Sequence, residues 1–135
     1  ELGRLGRVYA TLGDLESAQD YLERAIGLCH GEPVRAVAFQ VDLALVMSDR
    51  GELVAAGRLL AQAEERLRGF DAMGLAFVLC AMARVAAARG EMEDARHSLS
   101  EAGALAGTMG VTPQSRLARE VVSAGAVVAA RASAS

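Results

Sequence analysis

The sequence predicts an all-α fold, a superhelical solenoid of three antiparallel helix pairs plus a C-terminal helix. Three observations carry this. The 135 residues are 53% hydrophobic, with only two Pro, and Ala and Leu dominate, a composition that favours helix. Glycines at 13, 51 and 90 each close a helical pattern, 38 and 39 residues apart. Downstream of each glycine the spacing Ala-x-x-x-Leu-x-x-Ala stacks one helix face at i, i+4 and i+7.

The repeat fixes the elements in order. After Gly13, Gly51 and Gly90 come Asp14, Glu52 and Glu91, then Leu15, Leu53 and Met92. The small columns are Ala18, Ala56, Ala95 and Ala25, Ala63, Ala102, with Leu22, Leu60 and Leu99 between them. Upstream, Val8, Val46 and Val85 align, as do Gly6, Ala44 and Ala83. Each copy therefore reads as a helix ending at its glycine, where a positive φ costs Gly little, followed by a second helix. The first copy spans about 1–31, with helices over 1–12 and 15–29. The second spans about 32–70. Pro33 opens its first helix, where Pro is tolerated; that helix runs to about 50 and its mate covers 53–68. In the third copy, about 71–110, Asp71 is an N-cap and the helices cover 72–89 and 92–106. The stretch 107–111 breaks the pattern. Thr112-Pro113 then reads as cap and first residue of a last helix, ending near 132. A single pair cannot bury its own apolar face, so the pairs must stack.

Composition excludes several classes. The hydrophobic share is too high for a disordered chain. A formal net charge of -3 argues against direct nucleic-acid binding. Two cysteines, Cys29 and Cys80, make no disulfide framework and read as small buried hydrophobes in a reducing cytoplasm. The longest uncharged apolar run, 72–83, is too short to span a bilayer. All 14 basic residues are Arg, and Lys and Asn are absent, as in proteins of GC-rich bacterial genomes. Residue 1 is Glu rather than Met, so the expectation is a piece of a longer protein.

Leu5-Gly6, Tyr9, Gly13, Ala18, Leu22 and Ala25 give copy one the pattern of a tetratricopeptide repeat. Copies two and three keep the Gly, Ala, Leu and Ala positions but carry Met47 and Ala86 in place of the Tyr. The resemblance covers about residues 1–106, with a period longer than the family's usual one. Longer repeats of this kind occur in large bacterial regulators that join a switch, DNA-binding or kinase domain to a sensor array. The resemblance implies a non-enzymatic scaffold for a protein or peptide segment, without cofactor, in the regulatory or sensor part of a transcriptional or signalling protein.

Transferring the family's concave positions implies a binding face of Arg4, Arg7, Thr11, Asp42, Leu45, Asp49, Phe77 and Arg84, with Ala38, Val41, Cys80 and Ala88 beside them. Two readings of the arginines stand side by side. They grip a carboxylate or phosphate in bidentate fashion, or they pair with Asp42 and Asp49 on neighbouring helices or with water. Phe77, Leu45 and Val41 form either an apolar shelf for a peptide anchor or part of the helix stack. The family's clamp for chaperone C-termini needs Lys and Asn, which this chain lacks.

Other constellations carry little. Asp94, His97 and Glu101 resemble half of a carboxylate–histidine metal site, but the second half is missing and their register places them on an outward face. Cys29-His30 has no third partner. Glu64, Glu65, Arg66 and Arg68 read as a charged helix end. The last helix is apolar from Val121 onward, although a terminal cap should be polar outside. It therefore either begins a further repeat or joins a second copy or neighbouring domain through Val121, Val122 and Val128, making a homodimer the alternative role.

Overall fold

The computed structural model describes residues 13–29 and 32–134. Among these residues it is all-helical: α1 (Leu15–Gly27), α2 (Pro33–Asp49), α3 (Leu53–Leu67), α4 (Ala72–Ala88), α5 (Met92–Met109) and α6 (Arg116–Ala134). The helix expected over 1–12, with Arg4, Arg7 and Thr11, lies outside the described residues, as does His30.

The helix ends follow local chemistry. Gly51 and Gly90 have φ of 84° and 80°, and both terminate a helix with the same pair of bonds. Glu52 N–H donates to Met47 C=O at 2.8 Å and Gly51 N–H to Ser48 C=O at 3.0 Å. One copy later, Glu91 donates to Ala86 at 2.9 Å and Gly90 to Ala87 at 3.0 Å. This is a Schellman closure, which needs a left-handed residue between helix and exit. At the other end, Asp14 accepts from Ser17 N–H at 3.1 Å and Asp71 from Gly74 N–H at 3.0 Å, so both act as N-caps.

Three expected boundaries move. Helix α1 stops at Gly27, short of Cys29. Helix α5 runs through Gly107 to Met109 and closes at Gly110, φ 68°. Gly inside a helix costs only about 1 kcal/mol relative to Ala, and Ala106 on the buried side of α5 offsets that locally. Helix α6 begins at Arg116, not Pro113. Thr112 C=O accepts from Ser115 N–H at 3.0 Å, making a turn. Ser115 Oγ then accepts from Ala118 N–H at 3.0 Å and caps the helix.

Packing is confined to neighbours. Among the described helices, α2, α4 and α6 touch in succession, whereas the backbones of α1, α3 and α5 stay apart and meet only through side chains such as Arg68 and Glu101. Helix α1 packs on α2; α3 packs on α2 and α4; α5 packs on α4 and α6. Helix α4 thus has four neighbours. Ten of its 17 residues are buried, from Gly74 to Ala87, so its sequence is apolar almost all round.

The repeat columns supply the close contacts. Ala18, Ala56 and Ala95 are each 0% exposed, as are Leu22 and Leu60. Ala25, Ala63 and Ala102 are also buried. The Ala positions let helices approach, and the Leu between them fills the remaining volume. Leu99, the third member of its column, is only half-buried, although it packs against the core.

Candidate functional site

The row α2, α4, α6 carries a groove of about 350 Å³. Helix α2 contributes Val41, Asp42 and Leu45, and α4 contributes Phe77. Helix α6 supplies the opposite wall with Arg116, Arg119, Glu120 and Ser123. Val41, Leu45 and Phe77, grouped in the sequence reading, lie together as the groove's apolar floor. Phe77 is both shelf and stack: it is half-buried, packs against the Ala76, Ala106, Leu117 cluster and lines the groove.

Arg84 is placed differently from either sequence reading. Its guanidinium grips Glu120 in bidentate fashion, Nε to Oε2 at 2.9 Å and Nη2 to Oε1 at 3.1 Å. Nη2 also donates to Ser123 Oγ at 2.7 Å. The carboxylate is therefore internal, from α6, and not from Asp42 or Asp49. Asp42 lines the groove, whereas Asp49 is exposed at the end of α2 and outside it. Cys80, counted among the concave positions, is 0% exposed. Burial pushes its thiol up to about 12, and the nearby Glu120 carboxylate adds to the rise.

The α6 residues of the groove were not foreseen. A signal for them existed: one further 39-residue step from Phe77, Cys80 and Arg84 lands on Arg116, Arg119 and Ser123. Arg116 lies over the Phe77 ring, its Cζ 5.3 Å from the centroid, a cation–π distance. Neither Arg116 nor Arg119 has a carboxylate partner among the described residues.

The expected self-association set is corrected. Val128 is 4% exposed and packs with Ala83, Ala87 and Ala95. It is a core residue, because α6 lays that face on α4 and α5. Val121 is half-buried against the core. Val122 remains outside at 73% exposed, joined by Val127 at 37%.

The other side of α4 carries a larger cleft, about 520 Å³, between α3 and α5. Its charges are largely spent internally. Arg68 on α3 binds Glu101 on α5 at 2.6 Å and also Glu64. The Arg68 hydrogen bond holds the Glu101 carboxyl below its ordinary range, and Arg68 is raised in turn. Arg89 pairs with Glu91 at 3.3 Å. Asp94, His97 and Glu101 all line this cleft. Among the described residues, no group of three or more His, Cys, Asp or Glu could hold a metal ion. No described helix is long and apolar enough to cross a membrane.

The groove across α2, α4 and α6 is the better candidate site, since Arg116 and Arg119 line it beside an apolar floor without a carboxylate partner among the described residues. Comparison with protein-family models, with curated proteins and with solved structures finds no match to this chain.

Proposed function

We propose that this chain is a tetratricopeptide-like superhelical solenoid of antiparallel helix pairs that binds a protein or peptide segment without catalysis. In this reading it is the regulatory or sensor domain of a larger bacterial transcriptional or signalling protein in the cytoplasm. The observation that carries the reading is the open groove along the successive helices α2, α4 and α6. A neighbour-only stack leaves one helix row available along its length, and such rows suit extended or helical segments. The repeat columns support the stack, since the same Ala positions are buried in all three copies and the Leu position in the first two.

The test is selection from a random peptide library displayed on phage, with the wild-type chain as bait. The reading expects enriched peptides that lose binding to Leu45→Glu and Phe77→Ala chains. No enrichment, or enrichment indifferent to both substitutions, contradicts it.

A second reading is favoured by Val122 and Val127, large apolar side chains that α6 leaves open to solvent. The chain would then be a homo-oligomerisation module. Sedimentation equilibrium at rising concentration decides: a dimer that becomes monomeric in Val122→Glu supports it, and a strict wild-type monomer removes it.

A further inference from the structure

The groove has a chemical bias that the scaffold reading alone does not specify. Three guanidiniums stand at it or against it, Arg84, Arg116 and Arg119, with two carboxylates, Asp42 and Glu120. Among the described residues the guanidiniums therefore outnumber the carboxylates. Arg84 and Glu120 satisfy each other, so the excess resides with Arg116 and Arg119. These two are three residues apart on α6 and share one face.

Arg116 lies over Phe77, its Cζ 5.3 Å from the ring centroid. A guanidinium resting on a ring keeps N–H edges for a ligand and has less rotamer entropy left to lose on binding. Beside those edges lies the apolar floor of Leu45 and Phe77.

We propose that the groove selects peptides in which a single carboxylate side chain adjoins a large apolar residue. The carboxylate bridges Arg116 and Arg119, and the apolar neighbour fills the floor. Charge-assisted, bidentate hydrogen bonds supply the selectivity. The occupant is a carboxylate, whose two oxygens take one guanidinium each. This inference rests on the scaffold reading and names its ligand class.

Fluorescence anisotropy with labelled, acetylated and amidated peptide pools tests it. Each pool carries a central Glu, Gln or phosphoserine flanked by large apolar residues. The Glu pool should bind the wild-type chain about tenfold tighter than the Gln pool, and no more weakly than the phosphoserine pool. Arg116→Gln and Arg119→Gln should each erase most of the Glu-over-Gln preference while weaker apolar binding persists. Arg119→Lys should restore part of it, and helicity by circular dichroism should match wild type throughout.

Equal binding of Glu and Gln pools overturns the proposal yet leaves the scaffold reading standing, provided Leu45→Glu still abolishes both. Tighter phosphoserine binding overturns the carboxylate assignment. A preference that survives both arginine substitutions places the carboxylate elsewhere and overturns the site. Binding by no pool at all removes the scaffold reading together with the inference.

Discussion

Truncating Leu60 to Ala should cost far more than the same change at Leu99, although the two occupy one column of the repeat. Leu60 is 0% exposed and belongs to the main core cluster with Ala56, Ala63 and Leu67. Helix α3, which carries it, packs on both α2 and α4. Losing three buried carbons forfeits about 2.5 kcal/mol at ~0.8 kcal/mol per methylene. A cavity walled by two neighbouring helices cannot fully collapse, so the total rises to about 3–4 kcal/mol. Leu99 is half-buried and its removal leaves space that water or neighbouring side chains can fill, for a cost of about 1–2 kcal/mol. Urea titration followed by circular dichroism at 222 nm measures both losses, compared at equal m-value. A domain of ordinary stability, about 5–15 kcal/mol, stays folded through either change. The reasoning is refuted if Leu60→Ala costs under 1 kcal/mol, or if Leu99→Ala costs as much as Leu60→Ala.

Three further outcomes follow from the same geometry. Gly90→Ala should destabilise by about 1 kcal/mol because its φ is positive, while Gly103→Ala, inside α5 with open space around it, should stabilise by up to about 1 kcal/mol; thermal melts showing both changes with one sign would contradict this. Arg68 holds the Glu101 carboxyl below its ordinary range, so that group's contribution is present above its unfolded pKa and is lost as pH falls through the lower folded value. Glu101→Gln should therefore be less stable than wild type at pH 7, with the gap closing below roughly pH 4; a gap constant from pH 7 to pH 3 speaks against the bridge. Finally, Cys80 is fully buried with its thiol pushed up to about 12, and Cys29 is buried with its thiol donating to Ala25 C=O at 3.4 Å. Neither should react with a disulfide reagent at pH 8 until urea is added, and rapid reaction of the native chain would show an open core.

What could be read from the sequence was what repeats locally. The positive-φ glycines at 13, 51 and 90, the Asp71 cap and the buried Ala columns follow from spacing and from side-chain chemistry within a few residues. The errors arose where distant segments decide. Gly107 looked like a breaker, but the helix continues through it to the left-handed Gly110. Thr112-Pro113 offered a helix start, and Ser115 three residues later took the capping role. Val128 looked available until α6 folded back onto α4 and α5. The partner of Arg84 depended on the same docking: Glu120 lies 36 residues away, and only the placement of α6 brings it near. Extending the 39-residue step once more, from Phe77 and Cys80, would have pointed to Arg116 and Arg119.

The central claim is that the row α2, α4, α6 presents the binding groove. Amide chemical-shift mapping of the 15N-labelled chain, titrated with a library-selected peptide, tests it most directly. The account predicts perturbations concentrated at Val41, Leu45, Phe77, Arg116, Arg119 and Ser123. Perturbations gathered instead around Arg58, Asp94 and His97, on the α3–α5 side, would contradict it.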